Sequence, residues 1–465
     1  MIKSIQHKFF SIVLLFITIL FGSCVSAKDT VENAQVEVKY YTLDNGIPVI
    51  FEKNASNKVL SLNITVAGGT PLLEPEQAGL EDALFSMMTN GSEKYDYKTL
   101  SQLEYEKQFS LTSSAGRSGS TLSLNCIDYY FDDIFPVFVD GFLHPTFVER
   151  EFNSLMQGYS QSLQQKETDP SSVLLKSIQE TLYKNHPYET TSEPTKNSLD
   201  SITVKEMKDW HAKILDSSRI FITVVGNYDS KKLVQKLNIA FGSIPSAKNS
   251  FVPSNIPELK IGGNPIIIEN EIAAGSGYMA CVLPAPNYDS KDLYANILAG
   301  NMYKDILFNI VREKNGACYS IGSGAMSGKA AYNMLYAIKV SDLENITTWI
   351  NESEELLRSG MLIDSKDPKT GEYEYSTIED RIEEYKNSYI NSLFSVSETN
   401  QGLASLLIGN KLLYNNPERY LTVVNKIRNV TSADIKKCID KYWTSDTKQW
   451  FVVTGAEDVN KVTIN

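Results

Sequence analysis

The chain contains the same helix and strand unit twice, and this repeat limits the folds that it can adopt. One copy, ITVKEMKDWHAKILDSSRIFITVVGNYDSKKL, contains Thr203 and Gly226, and the other, VTSADIKKCIDKYWTSDTKQWFVVTGAEDVNKV, contains Thr431 and Gly455. Each has a threonine N-cap with an acidic residue three positions on, an amphipathic helix, a polar turn and an apolar strand that ends at glycine. The threonines are 228 residues apart and the glycines 229. We therefore expect two similar halves.

A segment rich in proline and glycine, GSIPSAKNSFVPSNIPELKIGGNP, breaks every hydrophobic period between these halves. A chain of 465 residues is long enough for two or three domains. We predict an N-terminal domain at 38–245, a linker at 246–264 and a C-terminal domain at 265–460. Strands such as LSLNITVAGG and GYMACVLP alternate with long helices in both halves, which predicts two α/β domains.

The chain is acidic along its whole length. It has 44 Lys and Arg against 56 Asp and Glu, a net charge of -12, with no basic stripe or acidic tail. Because nucleic acid is bound through clustered positive charge, this composition argues against a nucleic-acid partner.

The first residues, MIKSIQHKFFSIVLLFITILFGSCVSAKD, combine a basic start with an apolar run that is too short to span a membrane. This pattern predicts an export signal at 1–27 and places the protein in the periplasm or outer cell envelope. Two processing sites compete. The sequence LFGSC resembles a lipobox with Cys24 as the lipid attachment site, whereas VSA before Lys28 fits ordinary signal peptidase. The small residues directly before Cys24 favour the lipobox, and hence a lipid anchor in the membrane.

The other cysteines do not form a metal-binding pattern. They are Cys126, Cys281, Cys318 and Cys438, without any C-x-x-C spacing. An exported protein can form disulfides, but spacing does not pair these residues, and buried free thiols are an equal alternative.

The stretch GLEDALFSMMTNGS predicts a short amphipathic helix with an unusual second face. Asp82, Phe85 and Ser86 have the spacing at which a helix presents two metal ligands and a base. A serine hydroxyl is a poor zinc ligand, and a phenyl ring neither binds zinc nor accepts a proton. The histidines do not compensate, since no two lie within five residues of each other; they are His7, His144, His186 and His211. We predict that this chain binds no zinc.

Several segments, in order from about Tyr40 to Gly455, resemble the pitrilysin or insulinase-like metallopeptidases, the inverzincins. They include YTLDNGIPVIFEKN, HPYETTSEPTKNSLDSITVKEMKDWH and LFNIVREKNGACYSIGS. The match is to the short, two-domain members of the processing-peptidase type. The resemblance implies an α+β fold of two homologous α/β domains, each with a mixed, largely antiparallel sheet packed on helices, that together form half of a clamshell.

The family's zinc site is H-x-x-E-H on a helix, in which two histidines bind zinc and the glutamate activates water. By this resemblance the histidine positions fall on Asp82 and Ser86, and the base falls on Phe85. The distant glutamate ligand falls near LMQGYSQ, where Gln157 or Gly158 stands. Every functional position of the zinc motif is therefore replaced.

The segment REKNGACY matches a second family feature, an arginine and a tyrosine seven residues apart, here Arg312 and Tyr319. Taken alone, the segment is also typical of a surface arginine and a buried strand tyrosine. The resemblance implies instead that both residues contact substrate beside a zinc ion held elsewhere. An arginine offers a fork of donors to a peptide carbonyl, and a phenol can donate to a developing oxyanion.

Loss of the zinc motif with retention of the arginine and tyrosine resembles one subunit of the paired family members. The implied function is a non-catalytic, substrate-positioning subunit of a heterodimeric zinc metalloendopeptidase that cleaves peptides or unfolded protein segments. Its partner is a homologous subunit with an intact H-x-x-E-H, which holds the zinc, and the chain is inactive alone. The alternative is a binding or structural protein with the peptidase fold and no role in proteolysis. A lone active peptidase would require zinc in this chain.

Overall fold

Two β-sheets, one from each half of the sequence, organise the computed structural model, which describes residues 37–464. The predicted export signal and Cys24 lie outside the described residues. The strands are β1 (Val38–Thr42), β2 (Pro48–Lys53), β3 (Val59–Ala67), β4 (Ser110–Ala115), β5 (Gly119–Ile127), β6 (Ile220–Gly226), β7 (Ile266–Glu269), β8 (Gly277–Pro284), β9 (Cys318–Met326), β10 (Tyr332–Val340), β11 (Met361–Lys366), β12 (Tyr373–Thr377) and β13 (Gln449–Thr454).

The two sheets have the same topology. The first has the order β1-β2-β6-β3-β5-β4, and the second has the order β7-β13-β8-β10-β9. In the second sheet the last strand of the half, β13, lies between the first two strands, β7 and β8. In the first sheet the last strand, β6, lies in the same way between β2 and β3, and β1 is an additional strand at the edge. The pairs β2 with β6 and β7 with β13 are parallel, whereas β3 and β8 pair antiparallel with both of their neighbours. The predicted α+β fold of two homologous halves with mixed, largely antiparallel sheets is confirmed.

The helices cover the sheets. They are α1 (Leu80–Met88), α2 (Tyr97–Lys107), α3 (Phe131–Leu143), α4 (Glu149–Thr168), α5 (Pro170–Leu182), α6 (Val204–Ile214), α7 (Ser230–Phe241), α8 (Leu293–Leu307), α9 (Ile346–Arg358), α10 (Ile378–Ser397), α11 (Asn400–Tyr414), α12 (Tyr420–Arg428) and α13 (Ser432–Tyr442). Among the described residues, none of these helices is long and apolar enough to cross a membrane.

The repeated unit has the local structure that its sequence predicts. The Thr203 hydroxyl caps α6 by accepting from the backbone N–H of Glu206 at 3.1 Å, and Thr431 caps α13 through a capping box with Asp434. The strands β6 and β13 follow these helices. Gly226 ends β6 with a φ of 153°, where a Cβ would lie 3.1 Å from the Leu60 Cα atom. A side chain there would combine an unfavourable backbone conformation with a close contact.

Each half contributes one helix to the sheet of the other half. Helix α5 packs against β8 and β13 of the second sheet, with Leu174, Ile178 and Leu182 buried. Helix α11 packs against β3 and β6 of the first sheet. Its first residue, Asn400, donates through Nδ2 to the Val59 carbonyl at 2.6 Å. The halves are therefore joined by reciprocal packing as well as by the chain.

The predicted linker, residues 246–264, contains no helix or strand. Ile256, Leu259 and Ile261 within it are partly buried against the apolar cluster that surrounds α5. From Lys39 onward the described chain forms one compact unit, and the domain boundaries at 245 and 265 stay a prediction.

All four described cysteines are buried free thiols. Burial raises the pKa of Cys126, Cys281 and Cys438 to about 12 and that of Cys318 to about 11. The sequence left disulfides and buried free thiols open as alternatives, and in the structure these four cysteines are free thiols.

Candidate functional site

Helix α1 carries the degenerate motif and begins at a tightly packed glycine. Gly79 has a φ of 81°, and a Cβ on it would lie 2.4 Å from the backbone nitrogen of Pro194. Only glycine fits both the backbone conformation and this contact. The close approach fixes α1 against the segment that precedes α6.

The motif residue Phe85 and its neighbour Glu81 on α1 are both enclosed by the protein. The Phe85 side chain is 0% exposed and belongs to the core of the first half. Glu81, one turn before it, is 2% exposed. Burial raises the pKa of this carboxyl to about 7, although Arg219, Ser120 and Trp210 favour its charged form. The position of the family's general base thus holds an aromatic core residue.

The remaining motif residues, Asp82 and Ser86, lie one turn apart and are half-buried beside helix α4. The Tyr159 hydroxyl donates to Oδ2 of Asp82 at 2.5 Å. Burial raises the pKa of the Asp82 carboxyl, and this hydrogen bond partly offsets the effect by stabilising the charged form. Burial and the neighbouring Asp82 carboxylate also raise the pKa of Tyr159, while Ser86 opposes that shift.

The contact from α4 comes from Tyr159 and not from the two positions that the sequence suggested. Gln157 and Gly158 are exposed. A phenol that donates to Asp82 occupies the side of the helix from which a third ligand would reach the motif. Among residues 37–464 no group of three or more His, Cys, Asp or Glu side chains could hold a metal ion. The residues present do not fit zinc, because one motif position lacks a donor atom and a second is already hydrogen-bonded.

Two of the histidines have structural partners. The Nε2 atom of His211 lies 2.8 Å from the Phe142 carbonyl, and burial lowers the pKa of this imidazole. His186 accepts at Nδ1 from the Tyr188 backbone N–H at 3.0 Å, and its Nε2 lies 3.1 Å from the Pro257 carbonyl. Both histidines therefore use their ring nitrogens to connect chain segments.

The second candidate group begins where α8 continues into a π-helical turn, Phe308–Lys314. Gly316, with a φ of 61°, closes this turn and donates its N–H to the Arg312 carbonyl at 2.9 Å. Strand β9 follows directly. The wide turn and the glycine place Arg312 close to the start of β9, where Tyr319 is the second residue.

Arg312 and Tyr319 come together on the surface. The guanidinium carbon of Arg312 lies 5.9 Å from the Tyr319 ring centroid and 5.0 Å from that of Phe308. These distances are within the range of cation–π attraction. Lys339 adds a second cation at 5.9 Å from the Tyr319 ring. Tyr319 is 70% exposed, so it is not the buried strand tyrosine that the segment alone would also fit.

The donor groups of this pair are largely uncommitted. The nearest carboxylate to the Arg312 guanidinium is that of its neighbour Glu313, with Nε and Oε1 3.7 Å apart. The Tyr319 hydroxyl has no hydrogen-bond partner in the part of the chain that the structure describes. Neither residue forms a hydrogen bond or an ion pair with Asp82, Phe85 or Ser86 there. The arginine and the tyrosine form one group, and the degenerate motif lies in the other half of the chain.

Comparison with known proteins confirms the family resemblance. Residues 201–360 match the model described as the Peptidase M16 inactive domain. A relative from Helicobacter pylori, named non-peptidase homolog YmxG, is 21% identical over 202 residues, which are 43% of this chain and 47% of that protein. The chain thus spans about half the length of this relative.

Solved structures share the fold. A peptidase M16 inactive domain from Pseudomonas fluorescens has a TM-score of 0.75 at 16% identity, over 90% of this chain and 98% of that one. The periplasmic protease PqqL from Escherichia coli has a TM-score of 0.71 at 16% identity, over 91% of this chain and 47% of that one. Together with the motif residues, the family match and the non-peptidase relative support a non-catalytic, peptidase-like protein.

Proposed function

We propose that this chain, a homologue of the M16 peptidases whose zinc-motif positions carry Asp82, Phe85 and Ser86, is the substrate-positioning subunit of a two-chain zinc endopeptidase. The zinc and the general base come from a homologous companion with an intact H-x-x-E-H. The substrates are peptides or unfolded protein segments, and this chain alone does not cleave them.

The observation that carries the proposal is the pairing of Arg312 with Tyr319 on the surface. A tyrosine that is 70% exposed and makes no hydrogen bond contributes little to the fold. The adjacent guanidinium is only weakly paired within the chain. Two free donors at this separation suit a peptide carbonyl and the oxyanion formed from it.

The test is peptide cleavage by the reconstituted pair. The companion is identified as an H-x-x-E-H protein that copurifies with this chain. We expect cleavage only when both chains are mixed, and we expect Arg312→Ala to lower kcat by about 100- to 1000-fold, the effect of losing one oxyanion donor. Tyr319→Phe should also lower kcat, because it removes the hydroxyl that would donate to the oxyanion and leaves the ring in place.

Arg150 provides a matched control. Its Nη2 lies 2.5 Å from Oε1 of the adjacent Glu151, and its guanidinium carbon lies 5.8 Å from the Tyr97 ring centroid. Arg150→Ala therefore removes an exposed arginine with the same kinds of neighbours, and turnover should not change. Unchanged turnover in Arg312→Ala, with the pair still assembled, would contradict the assigned role.

A binding protein with the peptidase fold is the second candidate, favoured by the relative named a non-peptidase homolog. It predicts stable association with a protein that lacks H-x-x-E-H and no cleavage in any mixture. The copurification experiment therefore distinguishes the two functions.

The proposed location is the cell envelope. Residues 1–27 have the pattern of an export signal, and one protein with the same fold is described as periplasmic. If Cys24 carries lipid, Cys24→Ser should release the protein from the membrane fraction. If the wild-type protein and the Cys24→Ser variant are both found in the soluble fraction, cleavage before Lys28 is supported instead.

A further inference from the structure

A cavity of about 330 Å³ opens where the two halves meet the predicted linker. The first half contributes Gly68 and the start of β6, the linker contributes Phe251 and Ser254, and the second half contributes the end of α11. Its volume is within the range of small-molecule sites. Neither the degenerate motif nor Arg312 and Tyr319 line it.

The charge of this cavity is opposite to that of the protein. Four cationic side chains line it, Arg117, Arg219, Lys329 and Lys411, and no carboxylate does. The whole chain has a net charge of -12. Among the described residues, none of the four forms an ion pair within 4.0 Å. Like charges held close together repel one another. The carboxylates of Glu81 and Asp216 act on Arg219 from outside the cavity lining, and an anion inside the cavity would offset the remaining repulsion.

Arg219 is the most enclosed of the four, with 8% of its surface exposed. Its Nε donates to the Ala67 carbonyl at 2.9 Å, which fixes the plane of the guanidinium. The Nη2 atom is buried and has no hydrogen-bond partner. Its guanidinium carbon also lies 5.6 Å from the Phe251 ring centroid. Because Nη2 is enclosed by protein atoms, Arg219 would attract an anion in the cavity through its charge.

Arg117 and Lys411 are also held in place. Arg117 donates through Nη1 to the Tyr183 hydroxyl at 3.0 Å, and its guanidinium carbon lies 4.1 Å from that ring centroid. Lys411 donates to Oδ1 of Asn415, a neutral partner, at 2.5 Å, and its pKa is lowered by burial. Hydrogen bonds to neutral groups position these cations without neutralising them.

We propose that this cavity binds a small organic anion, a carboxylate or a phosphate ester with an apolar body. Arg117 has a planar donor group suited to paired anionic oxygens, Arg219 adds charge from the first half, and Lys329 and Lys411 add charge from the second half. The apolar body would contact Tyr188, Phe221, Phe251 and Leu412, which also line the cavity. Because the lining comes from both halves and the linker, the ligand would join all three segments.

The test is calorimetric titration of the purified protein with four probes. N-acetylphenylalanine and phenyl phosphate each have an anionic group and a ring, N-acetylphenylalaninamide lacks the charge, and inorganic phosphate lacks the ring. We expect each anionic aromatic probe to bind at least about tenfold more tightly than the amide and than inorganic phosphate. The tighter of the two then identifies the anionic group as carboxylate or phosphate.

The double variant Lys329→Gln with Lys411→Gln removes two of the four charges and leaves both arginines in place. We expect it to lower the affinity for the anionic probes by about tenfold or more and to leave the amide unaffected. Lys176→Gln is the matched control, since Lys176 is 66% exposed on α5 and does not line the cavity. Equal binding of the amide and the carboxylate, no binding of either anionic aromatic probe, or unchanged affinity in the double variant would overturn the proposal.

Discussion

The Tyr159 hydroxyl donates a hydrogen bond of 2.5 Å to Oδ2 of Asp82, so the nearest side chain on α4 satisfies a carboxylate at the first ligand position. In the family that this chain resembles, the position of Asp82 serves a metal. Here a phenol and an acid form a self-contained pair that needs no cation. The degenerate site is therefore filled by its own interactions.

Replacing Tyr159 with phenylalanine should expose the dependence of Asp82 on this bond. The hydrogen bond favours the charged carboxylate, so Tyr159→Phe should raise the pKa of Asp82 further above its ordinary value. The free energy of unfolding at pH 7 should fall by about 1 to 3 kcal/mol, and by less at low pH, where Asp82 is protonated. Denaturation at several pH values measures both effects. An equal loss at every pH would contradict the assignment.

Restoring the glutamate of the zinc motif should destabilise the protein without making it a peptidase. Phe85 is 0% exposed in the core, so Phe85→Glu should lower the free energy of unfolding by about 4 kcal/mol or more. Phe85→Leu, which keeps the site apolar, should cost about 1.5 kcal/mol or less. Urea denaturation compares the two variants. Equal stability would mean that the position is open enough to accept a charge.

Glu81 should make the protein less stable as pH rises. Its pKa is 4.5 in the unfolded chain and about 7 in the folded protein. Between these values the unfolded state has released the proton that the folded state keeps, so the free energy of unfolding falls as pH rises, by about 3 kcal/mol in total. Glu81→Gln removes this contribution, and its stability relative to wild type should increase between pH 4.5 and 7. Glu180→Gln, at a side chain that is 67% exposed on α5, is the control for loss of a carboxylate at the surface.

Local patterns predicted much of the fold. The capping threonines, the paired strands and the two-half architecture follow from repeated chemistry over short segments, and the strand predictions LSLNITVAGG and GYMACVLP correspond to β3 and β8. The burial of Glu81 was not predicted, because Phe85, which lies four residues later on the same side of α1, was assigned to the motif face and not to the core.

Other features depend on contacts between distant residues. Tyr159 is separated from Asp82 by 77 positions, and the rotation of α4 that selects it over Gln157 or Gly158 is set by tertiary packing. The cations Arg117 and Lys411 reach one cavity only because α11 crosses to the first sheet. No periodicity in the sequence reports such an exchange of helices.

The exchange of α5 and α11 predicts that the two halves do not fold independently. Residues 38–245 alone would leave Leu174, Ile178 and Leu182 of α5 exposed and would lack the cover that α11 gives to β3 and β6. Residues 265–460 alone would lose α5 from β8 and β13. Because both pieces would expose apolar surface that the whole chain buries, neither should show a cooperative thermal transition by circular dichroism.

When the two halves are coexpressed, they should copurify and melt cooperatively. The control is whole protein cut after folding at a protease site inserted beside Lys248, which should keep its transition. Cooperative melting of either half alone would show that the reciprocal packing is not required for folding.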